Sequence, residues 1–154
     1  MGSGQSIATE IEIAAPPATV RSVFLDWQRY SEWTKVWTIK PNEDAKKPSD
    51  LTKGDYVAAN LKGFAFKPAM VENTEELFKW DGSIPLLFSG QHSFYFKPSD
   101  KTPGGTTWVQ VEDFSGLLAF LMKPVFGFTK TTLKNWREFD EDIKKESERI
   151  AVQN

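Results

Sequence analysis

Gly90-Gln91-His92-Ser93-Phe94-Tyr95-Phe96 and Gly105-Thr106-Thr107-Trp108-Val109-Gln110-Val111-Glu112-Asp113-Phe114-Ser115-Gly116-Leu117-Leu118 decide how this chain is read. Both stretches read as strands. Pro98 to Gly105 is rich in turn residues and closes them into a hairpin, and the second runs straight into a helical pattern. Pairing Phe96 with Trp108 sets Phe94 opposite Gln110, and His92, the single histidine, opposite Glu112. Strand side chains alternate, so these six project to one face. A slip by one residue would turn Gln110 and Glu112 to solvent and bring Val109 and Val111 inward. The rings of Phe94, Phe96, Trp108 and Phe114 favour the first register, because large apolar groups seek the interior.

In that register a histidine, an amide and a carboxylate sit among aromatic rings, a composition that suits a ligand pocket. His92 and Glu112, side by side and partly buried, are expected to hydrogen-bond. Such a pair suits three roles: general acid and base, anchor for a ligand hydroxyl or carbonyl, or a polar tie between two strands. One histidine, no cysteine and no spaced carboxylate cluster give no metal site. There is no Gly-x-Ser-x-Gly elbow around Ser115, no phosphate-cradling glycine loop and no dinucleotide fingerprint, so neither a serine nucleophile nor a cofactor is expected.

Upstream, Ile7 to Ala14 alternates as a half-buried strand, and Pro16-Pro17 suits the start of a helix carrying Val20, Val23, Phe24 and Trp27. Ser31 can cap a second short helix through Trp33. Trp37 to Lys40 starts a second strand, and Asn42 to Lys53 is a polar loop. Gly54 to Leu61, Phe64 to Asn73 and Leu77 to Trp80 read as successive antiparallel strands, with Pro68 marking an edge or a bulge. Ile84 to Phe88 is an unusually apolar loop, either tucked onto the core or forming a cavity rim. Downstream, Leu117 to Lys123 is a short helix stopped by Pro124. A long helix follows from about Phe126 to Ile150, with Phe128, Thr132, Leu133, Trp136, Phe139 and Ile143 as its apolar stripe. Trp136 and Phe139 are expected to face the sheet, and Phe120 and Phe126 to gate one end.

At 154 residues one domain is expected, spanning 7–150 between tails at 1–6 and 151–154. A formal charge of −2 provides no basic field for nucleic acid. No apolar run is long enough to cross a bilayer and no signal-peptide core follows Met1, which fits a cytoplasmic protein. Gly2 sits in a loose N-myristoylation pattern that also reads as a flexible tail. Aromatic residues make up 14% of the chain, which allows either a phenylalanine-rich core or a ring-lined cavity.

The order of elements resembles the helix-grip fold of the START, polyketide-cyclase and birch-pollen-allergen superfamily (SRPBCC). The match rests on Ile11-Glu12-Ile13-Ala14-Ala15-Pro16-Pro17-Ala18-Thr19-Val20, Phe24 to Trp33, Trp80-Asp81-Gly82, Gly90 to Phe94, Gly105-Thr106-Thr107 and Gln110 to Leu118. It implies an α+β fold in which a curved antiparallel sheet grips a long C-terminal helix around an apolar cavity. It also implies a hydrophobic small-molecule partner: a lipid, a sterol or a polyketide-like compound. The expected lining is His92, Phe94, Phe96, Trp108, Gln110, Phe114, Trp80, Phe66, Trp33, Trp136, Phe128 and Thr132. The alternatives are a cyclase or dehydratase using His92 and Glu112, and an interaction module with a collapsed cavity. Oligomeric state is left open.

Overall fold

In the computed structural model, residues 5–42, 46–83, 89–116 and 127–153 are described. The expected short helix at 117–123, the apolar loop at 84–88, and Phe120 and Phe126 lie outside them. Strand β1 (Gln5–Ile13) is followed by helix α1 (Pro17–Leu25), a single 3-10 turn (Trp27–Arg29) and the four-residue helix α2 (Tyr30–Trp33). Pro17 stands in the first turn of α1, where its missing N–H costs nothing. Tyr30, fully enclosed, donates its hydroxyl to the Phe24 carbonyl and so locks the α1–α2 corner.

The remaining strands are β2 (Trp37–Pro41), β3 (Val57–Leu61), β4 (Phe64–Phe66), β5 (Ala69–Asn73), β6 (Leu77–Asp81), β7 (Ser89–Pro98) and β8 (Thr106–Ser115). The chain closes on helix α3 (Phe128–Gln153). A five-stranded sheet runs β1-β8-β7-β6-β5, and a three-stranded one β2-β3-β4, all pairs antiparallel. The two join edge to edge. Gly54 N–H donates to Met70, Met70 N–H to Asp55 and Val57 N–H to Pro68, around a Tyr56–Ala69 bridge. The result is the curved antiparallel sheet and gripping helix that the element order implied.

Three expectations change in detail. The stretch from Phe64 to Asn73 is two strands, not one. Pro68 has no N–H to offer the ladder, and the chain passes from one sheet to the other at Lys67-Pro68. The strand expected from Gly54 starts only at Val57, because Gly54 adopts φ +95°. Regular structure also passes both expected domain ends: Gln5 and Ser6 pair with Phe114 and Asp113, and α3 continues to Gln153.

The hydrophobic core fills the concave side. Phe24 of α1 sits among Phe78, Phe94, Phe96 and Trp108, with ring centroids 4.7–5.7 Å away. On α3, Phe139 stacks on Trp37 at 3.8 Å and 13°. The stripe of α3 buries Trp136, Phe139, Asp140, Ile143, Glu146 and Ser147. Phe128 does not belong to it: it stands 53% exposed at the start of the helix, before the sheet closes over it.

The far end of β1 is tied down by polar groups. Glu12 accepts hydrogen bonds from the hydroxyls of Ser99, Thr102 and Thr107, fastening the β7–β8 loop. The bonds from Ser99 and Thr107 foremost hold its carboxyl below the usual glutamate range. A lowered carboxyl stabilises the fold above its unfolded pKa, and that contribution disappears as pH falls through the folded value. Glu12→Ala should therefore cost on the order of 1 kcal/mol at neutral pH. The deficit should vanish in acid, as read from urea midpoints of both proteins across pH 2–7.

Candidate functional site

The β7–β8 hairpin has the register expected from the sequence: Phe96 pairs with Trp108, Phe94 with Gln110 and His92 with Glu112. Alternation then puts His92, Phe94, Phe96, Trp108 and Gln110 in the interior, each with at most 1% exposure. β1 continues the face with Thr9 beside Gln110 and Ile7 beside Glu112, and β6 with Trp80 beside His92. His92 lies flat on Phe94 at 4.1 Å and meets Trp136 of α3 at 4.5 Å.

The polar chemistry differs from the simple pair expected. His92 Nδ1 is 3.1 Å from Glu112 Oε1, but the two are out of hydrogen-bonding alignment, and Nδ1 is buried without an aligned partner. The aligned partner of the ring is Gln110: its Oε1 lies 2.8 Å from His92 Nε2. Gln110 Nε2 in turn donates to Asp140 Oδ1 at 2.7 Å, and the Trp108 indole N–H donates to the same oxygen at 2.6 Å. A line of four groups thus runs Glu112, His92, Gln110, Asp140 from sheet to helix.

Asp140 is absent from the residues singled out in the sequence. Its signal was there, since it lies four residues after Trp136 and one after Phe139, inside the apolar stripe. Burial pushes its carboxyl above the usual aspartate range, against the opposing pull of the Gln110 and Trp108 donors. Glu112 is different. It shares the concave face, yet its side chain is 19% exposed, so solvent reaches this face beside it.

The other expected lining residues fall into three groups. Phe94, Phe96 and Trp108 are enclosed by Phe24 and form the packed floor, while Phe114 is buried at the β8 end. Phe66 and Trp80 belong with His92: Phe66 meets Trp80 edge-on at 6.0 Å, and Trp80 meets His92 edge-on at 6.1 Å. Phe64, 66% exposed at the tip of the β3–β4 hairpin, packs on Phe66 at 5.2 Å. The Phe66 ring also covers Gly82, where an added Cβ would come within 3.0 Å of it. Trp33 stands apart, half-buried against Tyr30 and Phe139. Phe128 and Thr132 occupy the first turns of α3, exposed and half-buried. Among the described residues no cluster of histidines and carboxylates could hold a metal ion, and no helix is long and apolar enough to cross a membrane.

A sheet curved around a C-terminal helix, with a polar line set into its aromatic concave face, defines a helix-grip protein. The family described as polyketide cyclase / dehydrase and lipid transport matches residues 4–146, and the chain belongs to it, within the SRPBCC superfamily. No curated protein matches the chain in sequence. Several solved structures share the fold. A START superfamily protein from Mycobacterium smegmatis is 16% identical, with a TM-score of 0.64 over 94% of this chain and 98% of that one. Norcoclaurine synthase from Thalictrum flavum, in complex with dopamine and hydroxybenzaldehyde, is 13% identical, with a TM-score of 0.63 over 94% and 86%. Ara h 8.0201 is 11% identical, with a TM-score of 0.63 over 99% and 100%. At these identities the likeness concerns the fold.

Proposed function

We propose that this protein binds or carries a hydrophobic small molecule between the sheet and α3, with a lipid, sterol or polyketide-like compound as cargo. One observation carries the reading. An unbroken row of rings leads from exposed Phe64 through Phe66 and Trp80 to the buried imidazole of His92. Exposed rings cost free energy unless something covers them, and a row that continues inward offers an apolar guest a graded path. The family description, which includes lipid transport, supports the same reading. Each Å² of apolar guest surface removed from water contributes about 25 cal/mol.

Trp80 and Trp136 both meet His92, so occupancy reports on itself through tryptophan fluorescence. Titration with an apolar panel of sterols, alkylbenzenes and polyketide-like aromatics should change the emission and raise the melting temperature. Phe66→Asp should weaken binding of every compound about tenfold or more, by putting a charge on the path. A panel that neither shifts the melting temperature nor moves the emission sinks the reading.

A second reading is favoured by the misaligned His92 Nδ1. A buried imidazole nitrogen with a carboxylate 3.1 Å away and no aligned bond is free to exchange a proton, as a cyclase or dehydratase on a polyketide-like substrate requires. Turnover separates the two: wild-type protein that binds the panel but leaves polyketide-like substrates unchanged is a carrier, whereas an enzyme turns them over and loses that turnover in His92→Ala.

A further inference from the structure

The polar line dictates which end-group a guest can present. The Trp108 indole can only donate, so Asp140 Oδ1 accepts, and it accepts from Gln110 Nε2 as well. That fixes the Gln110 amide with its oxygen towards His92. Gln110 Oε1 can only accept, so His92 Nε2 must carry a proton. With Nε2 protonated, Nδ1 of the neutral ring is an acceptor, and it faces Glu112 Oε1, another acceptor, at 3.1 Å. The two lack a hydrogen between them. The Glu112 carboxylate beside the ring leaves the pair without a net positive charge.

Among the described residues the rest of the face offers no cation either. From the strands that hold it, the positions sharing His92's side are Gln5, Ile7, Thr9, Ile11 and Ile13 of β1, Phe78 and Trp80 of β6, Gly90, Phe94, Phe96 and Pro98 of β7, and Thr106, Trp108, Gln110, Glu112 and Phe114 of β8. None is lysine or arginine, and α3 adds a third ionisable group, Asp140, which is also acidic. Of the acidic and imidazole groups here, only Glu112 is reached by solvent.

Resting on the binding function proposed above, the geometry points to Glu112 as the group that selects the guest. It accepts a hydrogen bond from a hydroxyl carried on a ring-bearing molecule, and it turns away guests that end in a carboxylate. His92, Gln110 and Asp140 are positioning residues that hold Glu112 from behind. An anionic end-group would meet a carboxylate in a partly desolvated site where none of the described residues supplies a cation to offset it, which is costly. A hydroxyl supplies the missing donor.

The test uses three matched probes on the full chain at neutral pH: nonylbenzene, para-nonylphenol and para-nonylbenzoate, followed by tryptophan fluorescence. The phenol is expected to bind at least about tenfold more tightly than the benzoate, a gap of about 1.4 kcal/mol. In Glu112→Gln that gap should shrink, mainly through tighter binding of the benzoate, and Glu112→Ala should behave alike if the glutamine variant folds poorly. Binding of nonylbenzene with no preference between phenol and benzoate overturns the inference while leaving the binding function standing. A preference that survives unchanged in both variants also overturns it. If none of the three probes binds, the inference is overturned; if the sterols and polyketide-like aromatics are silent too, the binding function falls with it.

Discussion

Phe24→Ala should lower folding stability by roughly 3–5 kcal/mol, the range for truncating a buried phenylalanine in a close-packed core. Phe24 is wholly enclosed and is the one ring of α1 that reaches the sheet's own ring layer, touching Phe78, Phe94, Phe96 and Trp108. These four lie on strands paired along their full length, so they cannot collapse inward to refill the gap. The loss should therefore lie toward the upper part of that range. It is read as a drop in the urea midpoint without a change in slope. The vacated space is apolar on every side, so benzene should restore part of the lost melting temperature. A variant that loses under 1 kcal/mol, or that ignores benzene, would show that α1 does not seal this end of the concavity.

Asp140 gives the second large effect, and its sign depends on what replaces it. Asp140→Ala leaves the Trp108 indole N–H and the Gln110 amide N–H without their shared acceptor in a buried place. Each orphaned donor costs about 1–3 kcal/mol, so a loss of about 2–4 kcal/mol is expected, together with loosening of Gln110 and His92. Asp140→Asn keeps an acceptor oxygen and removes the buried charge, so at neutral pH it should be neutral or stabilising. The pH dependence follows from the raised carboxyl. A group whose folded pKa lies above its unfolded value stabilises fully below the unfolded pKa, and that contribution is lost as pH rises through the folded one. The asparagine variant should therefore gain on wild type as pH rises above the ordinary aspartate range. Parallel urea titrations in which the two proteins keep a constant difference from pH 4 to 8 would contradict the assignment.

The hairpin register was readable because its alternation has only two solutions, and the rings at 94, 96 and 108 reject one of them. The order of elements was readable because Pro16-Pro17, the Pro98–Gly105 turn region and the α3 stripe punctuate the chain. Asp140 escaped because a carboxylate in a helix reads as solvated surface unless the spacing from Trp136 to Ile143 is followed residue by residue. The aligned bond of His92 to Gln110, with Glu112 close but out of alignment, was beyond a linear reading. It depends on Asp140, thirty residues further along, fixing which way one amide faces. The break at Lys67-Pro68 was half legible: proline announced a disturbed ladder, but a transfer between sheets needs the partner strands in view.

The fastening of the three-stranded sheet has a mechanical consequence. At one extremity Asn135 accepts from the Trp37 indole and donates to the Leu61 carbonyl, and Lys62 pairs with Glu138. At the other, the backbone bonds around Tyr56 and Ala69 hold it to β5. A strap pinned at both ends cannot swing like a door; it can only bow at mid-span, where Ile39, Ala59 and Phe66 face one another across the strands. In the binding function proposed above, a guest would pass the Phe66 ring by flexing that span, and the stiffness of a few residue pairs would set how quickly it enters and leaves.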